Sequence, residues 1–246
     1  MMQNEQLSEI KGTWAGYTAL DAFGERNLVG VFHRLGVLTQ AGEITTFDAL
    51  KKNAGVISKF SRQVDALLRI LQECGWISIQ NDQIRVLKGQ TQSEADLLAV
   101  IDNEQNRLVK EHPSVAIHML LMGLFLRHYP DFLRGSKFAT DILFPNGDMS
   151  RALEFYRGNA ISNHFNSMLA KAVSLYVEGI KSLGSKEPMQ IIEVGGGTGA
   201  TTTHILKALS ESGVPFQYTF TDVSSGFFQH AQSNFKRYDS SLKFKT

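Results

Sequence analysis

The sequence predicts an α/β protein in which a mainly helical N-terminal region precedes the first half of a Rossmann-like, doubly wound sheet. Apolar residues recur at helical spacing over most of residues 20–183. After residue 188, short β-branched runs alternate with helical segments, an order typical of parallel α/β sheets. A turn with four glycines within Gly195–Gly199 joins the first run to the next helix, as in nucleotide-binding βα units.

The first 95 residues are predicted to form a winged-helix-like subdomain. Three apolar-periodic segments within residues 20–74 predict helices, the second with Thr45 or Thr46 as N-cap and Gly55 just after its end. Residues 76–87 alternate apolar and polar side chains around the turn "QNDQ" and predict a hairpin. The apolar faces of the first and third helices consist of aliphatic and aromatic residues (Leu28, Val31, Phe32, Leu35, Val64, Leu67, Leu68 and Leu71).

Charge argues against a nucleic acid partner for this subdomain. Its third predicted helix balances Arg62 and Arg69 with Asp65 and Glu73. The formal net charge of the whole chain is only +1, whereas binding a polyanion over a wide surface needs a clear excess of Lys and Arg. We therefore expect this region to serve in packing or dimerisation.

The middle of the chain is predicted to be a helical lid or connector over residues 96–185. One helical block covers about residues 93–129, and a long helix follows with Ser150 as N-cap and Gly184 as its stop. The segment "GSKEP" is a linker candidate, and residues 186–246 then form an incomplete Rossmann-like domain.

Composition excludes several classes of site. His112, His118 and His128 do not stand in an HxxxH arrangement with a carboxylate, so we predict no metal site. Cys74 has helical apolar spacing and is expected to be a small buried hydrophobe in a reducing compartment. With no secretory leader and no apolar run of about 20 residues, we expect a cytoplasmic protein without a membrane partner.

The glycine turn predicts a ligand site. Strand "MQIIEV", helix "TTTHILKALSESG", strand "FQYTFTD" and helix "SSGFFQHAQSNF" follow in order, with a third strand beginning at Leu242. Glycines allow positive φ and close ligand approach, and the following helix N-terminus suits a carboxylate or a phosphate. A glycine turn without a ligand is the plainer alternative.

Two acidic residues favour a sulfonium cofactor over a dinucleotide. Gly195, Gly197 and Ala200 satisfy the dinucleotide pattern GxGxxA, which on its own is a weak signal. Glu193, two positions before the first glycine, would lie close to a pyrophosphate, but its charge suits the ammonium of a methionine group. Asp222, at the end of the second strand, can accept hydrogen bonds from ribose hydroxyls in either cofactor.

The segments "IIEVGGGTGATTTHILKAL" and "YTFTDVSSGFFQHAQSNF" resemble the C-methyltransferase domains of modular polyketide synthases. The resemblance covers residues 111–235 well, including "FYRGNAISNHFNSMLAKAV", and the first 90 residues only loosely. It implies S-adenosylmethionine as cofactor and a β-ketoacyl or malonyl-type substrate on an acyl carrier protein, with other synthase domains as partners. By this resemblance the cofactor-binding residues are Glu193, Gly195, Gly197, Thr198, Gly199, Asp222, Tyr156 and Asn166. Tyr156 and Asn166 could equally be packing residues.

The chain departs from the family in its sheet, because only two strands and the start of a third are found. The general base implied by the family, a His assisted by Glu, lies beyond the fourth strand, so no catalytic residue is assigned.

The chain could be a piece of a synthase, half of a split enzyme, or a degenerate adaptor domain. The initial Met suggests the start of a synthase subunit. A small-molecule O-methyltransferase with a winged-helix dimerisation domain is a further alternative. We expect weak cofactor binding and no methyl transfer.

Overall fold

The chain forms two compact units, Met1–Arg151 and Ala152–Thr246. The computed structural model describes residues 2–156, 159–184 and 187–245. This division differs from the three regions predicted, because the helices of residues 94–133 share one hydrophobic core with residues 20–86. The long helix of the predicted connector instead packs with the parallel sheet. Ser185 and Lys186 of the predicted linker lie outside the described residues.

The first unit begins with a long helix, α1 (Met2–Arg34), followed by a short strand, β1 (Ile44–Thr46). The prediction began α1 only at Leu20, since the preceding residues are mostly polar and carry no continuous apolar stripe. The first unit continues with α2 (Phe47–Ala54), α3 (Ser61–Glu73), β2 (Ile77–Gln80), β3 (Gln83–Val86), α4 (Glu94–Glu111), α5 (Ala116–Leu133) and α6 (Ala139–Leu143).

The three strands form an antiparallel sheet in the order β1-β3-β2, which with α1 to α3 gives the winged-helix arrangement. The turn between β2 and β3 places Asn81 and Asp82 at φ of 47° and 65°, as a tight hairpin turn requires. Thr46 caps α2 as predicted, since its side chain accepts the amide of Ala49 at 3.3 Å. The prediction missed β1 because three residues are too few to show alternation.

The second unit carries a parallel sheet that shares one hydrophobic core with its helices. Its strands β4 (Met189–Glu193), β5 (Phe216–Thr221) and β6 (Leu242–Lys245) follow in that order across the sheet. Its helices are α8 (Ala160–Ser182), α9 (Ala200–Ser212) and α10 (Ser225–Asn234), and α7 (Ser150–Tyr156) crosses the boundary between the units. The predicted β-α-β-α order and the third strand at Leu242 are confirmed.

The helix predicted to run unbroken from Ser150 to Gly184 is two helices. Asn159 adopts an extended backbone and accepts the amides of Ile161 and Ser162, so it starts α8 as a new helix. Ser150 is the first residue of α7 rather than its N-cap, since Asp148 accepts its amide at 2.9 Å. Arg157 and Gly158 lie outside the described residues.

The sequence also gives expectations for Cys74, for metal sites and for membrane-spanning helices. Cys74 is the C-cap of α3 and is partly exposed rather than buried, and desolvation is the main cause of the raised pKa of its thiol. Within the described ranges, no cluster of His, Cys, Asp and Glu could hold a metal ion. The same ranges contain no helix with the length and apolarity to cross a bilayer.

Burial of His118 on α5 opposes its protonation in the folded first unit. Its side chain is buried, its Nε2 lies 3.2 Å from the hydroxyl of Tyr17 on α1, and desolvation lowers its pKa. The unfolded chain therefore binds the proton first as pH falls. The stability contributed by neutral His118 is present above its ordinary pKa and lost as pH drops below it.

We expect His118→Gln to reduce the loss of stability between about pH 7.5 and about pH 5.5, because glutamine does not titrate. Urea unfolding of both proteins at the two pH values measures this difference. Equal losses in the variant and the parent protein would show that His118 does not contribute.

Candidate functional site

The loop between β4 and α9 presents bare backbone on its outer side. Gly195, Gly197 and Gly199 have φ of 73°, 55° and 73°, a region that L-residues rarely adopt. A Cβ added at Gly195 would meet nothing within 4 Å, and one at Gly197 would meet only the Gly195 carbonyl oxygen at 3.9 Å. Open space therefore lies beside the two glycines, where a ligand can approach the main chain.

The inner side of the loop is tightly packed. A Cβ on Gly196 would overlap the ring of Phe220, which is fully buried on β5. A Cβ on Gly199 would lie 2.7 Å from the ring of Phe235. These two glycines let the loop lie close against the core, whereas the outer pair leaves room for a ligand.

The end of β5 fixes the loop through the main chain. The amide of Gly196 donates to the carbonyl of Thr221 at 2.8 Å. The hydroxyl of Thr221 donates to the carbonyl of Glu193 at 2.7 Å. Because one residue of β5 holds both the last residue of β4 and the loop, the loop is positioned relative to the carboxyl ends of both strands.

Asp222, the first residue after β5, adds a third attachment. Its Oδ2 accepts the amide of Gly197 and its Oδ1 accepts the amide of Ser224, both at 2.8 Å. A carboxylate oxygen has two lone pairs, and this side chain is partly exposed, so it can also accept hydrogen bonds from a ligand. The predicted acid therefore lies at the open side of the loop, next to the amide of Gly197.

Glu193 faces the helix side of the sheet and is held by two hydroxyls. Its Oε2 accepts from Thr202 of α9 at 2.6 Å and from Tyr218 of β5 at 2.9 Å. Both donors are fully buried, while Glu193 is only partly buried. Sequence reasoning missed Thr202 and Tyr218, since each occupies a position whose spacing is that of an ordinary core residue.

The remaining predicted residues are placed differently. Asn166 on α8 accepts the hydroxyl of Thr201 at 2.9 Å, so it lies against the first turn of α9. Thr198 is buried within the loop. Tyr156, at the end of α7, is 55% exposed with its ring edge-on to Phe155. No hydrogen bond joins Tyr156 to the glycine loop among residues 2–156, 159–184 and 187–245. Contact of these residues with a cofactor stays a prediction.

The site combines negative charge with a helix N-terminus. Glu193 and Asp222 bring two carboxylates to one end of the sheet, and the first turn of α9 points unpaired amides at the loop. Val194 and Val223, the residues that follow Glu193 and Asp222, are 85% and 100% exposed and add apolar surface. This arrangement suits a ligand with an ammonium, a carboxylate, hydroxyls and an apolar part.

Comparisons with known proteins agree with this geometry. No protein family model matches the chain. Polyketide synthase ThaQ of Burkholderia thailandensis is 32% identical over 224 residues, which are 90% of this chain and 10% of that protein. The crystallised DszA carbon methyltransferase has a TM-score of 0.82 and 30% identity, over 97% of this chain and 61% of that one. The CurJ carbon methyltransferase has a TM-score of 0.81 and 24% identity, over 100% and 63%.

These findings confirm the predicted resemblance to the carbon methyltransferase domains of polyketide synthases. The chain spans about three fifths of the solved domains it matches, at 61% and 63%, and 10% of the synthase. The fold predicted for the second unit, the beginning of a Rossmann-like methyltransferase sheet, is also confirmed.

Gly196 tests whether the inner packing of the loop is needed for stability. Gly196→Ala should destabilise the second unit by about 1–3 kcal/mol, because the added methyl group overlaps the buried ring of Phe220, which itself packs against Phe228 and Phe244. Gly179→Ala on α8 is a matched control, since no atom lies within 4 Å of its added Cβ. It should stabilise the helix by about 0.5–1 kcal/mol. Chemical unfolding followed by circular dichroism compares them, and equal effects would contradict the packing account.

Proposed function

We propose that this relative of carbon methyltransferase domains forms the cofactor-binding part of an S-adenosylmethionine-dependent C-methyltransferase in polyketide biosynthesis. The observation that carries the proposal is the glycine loop between two carboxylates, Glu193 and Asp222, at the carboxyl ends of adjacent parallel strands. Ligands of doubly wound sheets bind at this end of the strands. The likeness to the DszA carbon methyltransferase, at 30% identity over 97% of the chain, supports the choice of reaction.

The charges favour a sulfonium cofactor over a dinucleotide. A pyrophosphate against this loop would approach the carboxylate of Glu193, and Coulomb repulsion would oppose it. The ammonium and the sulfonium of S-adenosylmethionine carry positive charge, so the same carboxylate attracts them. The acidic site therefore discriminates between two cofactors that Rossmann-like folds bind in similar places.

Each group of the site has a role in holding this cofactor. Asp222 would accept hydrogen bonds from the ribose hydroxyls, and the bare outer backbone at Gly195 and Gly197 would let the methionine part approach. The amides at the start of α9 would bind its carboxylate. Val194 and Val223 offer exposed apolar surface to the adenine base.

When bound, the cofactor supplies an electrophilic methyl group on sulfur. The chain's own residues would bind and orient this cofactor, which would limit the directions from which a carbon nucleophile can approach it. No residue of the chain is assigned as the base that generates this nucleophile. The roles described here are therefore binding and orientation.

The synthase relatives indicate the setting of the reaction. We infer that the chain works beside other polyketide synthase domains, which its similarity to ThaQ supports. We also propose the cytoplasm as its compartment. The substrate class that follows is a β-ketoacyl or malonyl-type chain tethered to an acyl carrier protein.

Asp222→Ala tests the ribose contact. The variant should bind S-adenosylhomocysteine about 10- to 150-fold more weakly, because it loses charge-assisted hydrogen bonds to the ligand. Asp239→Ala is a matched control, since Asp239 is an exposed acid of the same unit. Its affinity should equal that of the parent protein. Isothermal titration with the purified proteins measures both.

NADH serves as the competing ligand in the same titrations. Tight binding of NADH without any response to S-adenosylhomocysteine would contradict the methyltransferase assignment. Absence of binding to either compound would favour an adaptor domain that has lost its cofactor.

A further inference from the structure

We propose that Tyr218 and Thr202 are positioning residues for the amino-acid end of the cofactor, acting through Glu193. The two hydroxyls hold one carboxylate oxygen of Glu193, so that the other oxygen is presented to the ammonium of the ligand. This inference rests on the proposed function and assigns a role to two residues outside the predicted site. Its starting point is that a hydroxyl from β5 and a hydroxyl from α9 donate to the same atom, Glu193 Oε2.

The two oxygens of the Glu193 carboxylate differ in their hydrogen bonds. Oε2 receives both hydrogen bonds, at 2.6 Å and 2.9 Å, while Oε1 accepts none from the described residues. Thr202 and Tyr218 are each 0% exposed, so close packing fixes both donors, whereas Glu193 itself is partly exposed. Oε2 of Glu193 is therefore held in place, and Oε1 is left for a partner.

Stability alone does not require a charge at position 193. Met189 and Ile191 point to the same side of β4 and pack in the core, so an aliphatic residue at 193 would continue that face. On β5, Phe220 fills its buried position without a hydroxyl. A carboxylate with two buried donors costs desolvation energy that an apolar residue would avoid. The arrangement therefore indicates a use for the charge.

The donors are suited to keep that charge in place. Burial, and then the charge of Glu193, raises the pKa of Tyr218, so its hydroxyl stays protonated and remains a donor throughout the physiological range. Thr202 lies in the first turn of α9, where the helix dipole also favours a carboxylate. Together they tie the orientation of Glu193 to both β5 and α9.

Measuring the affinity for two ligands distinguishes a role in positioning Glu193 from general support of the fold. S-adenosylhomocysteine carries the ammonium, and 5′-methylthioadenosine has the same nucleoside without the amino-acid end. Tyr218→Phe should weaken binding of S-adenosylhomocysteine about tenfold and leave that of methylthioadenosine within about twofold, since only the first ligand reaches Glu193. Tyr238→Phe, at a partly exposed tyrosine of the same unit, should change neither affinity.

Thr202 provides an independent variant pair. Thr202→Val keeps the shape but removes the donor, and should show the same selective loss as Tyr218→Phe. Thr202→Ser keeps the hydroxyl and should retain the parent's affinity within about threefold. Thermal unfolding of each variant accompanies the titrations, so that folding is monitored separately from binding.

Three results would overturn the inference. Equal weakening of both ligands would show that Tyr218 and Thr202 only support the fold, and unchanged affinities would show that they do not position the ligand. If the parent protein binds S-adenosylhomocysteine and the variants show either of these two results, the proposed function still stands. A parent protein that binds neither ligand would overturn the proposed function and this inference together.

Discussion

The hydrogen bonds between the end of β5 and the glycine loop are the constraint on which the candidate site depends. The loop is attached through the carbonyl of Thr221 and the carboxylate of Asp222, and Glu193 is attached through Thr221 and Tyr218. Without these bonds, a segment so rich in glycine would have a large conformational entropy to lose on binding a ligand. The parallel pairing of β4 with β5 brings all of these groups together.

This attachment explains why the loop uses two kinds of glycine. Gly196 and Gly199 have packed neighbours, and their lack of a side chain lets the loop approach Phe220 and Phe235. Gly195 and Gly197 face open space and leave main-chain atoms exposed. Close packing on one side and access on the other are both needed for a rigid loop that still admits a ligand.

Much of this architecture could be predicted from the sequence. The apolar periodicities identified the winged-helix arrangement and the β-α-β-α order, and the cap at Thr46 was specified by local chemistry. Strand β1 was missed because three residues show no alternation. The break before α8 was missed because apolar residues recur on both sides of Asn159, which starts the new helix. Tyr218 and Thr202 were missed for another reason. Their importance depends on a shared partner distant in sequence, which neither spacing nor composition reveals.

Hydrogen exchange in the presence and absence of S-adenosylhomocysteine tests the central claim most directly, because it reports which amides the ligand stabilises. We expect slower exchange in peptides that cover residues 194–203 and 218–224, with residues 2–151 little changed. Binding accompanied by protection only within residues 2–151, or by no protection of the glycine loop, would contradict it.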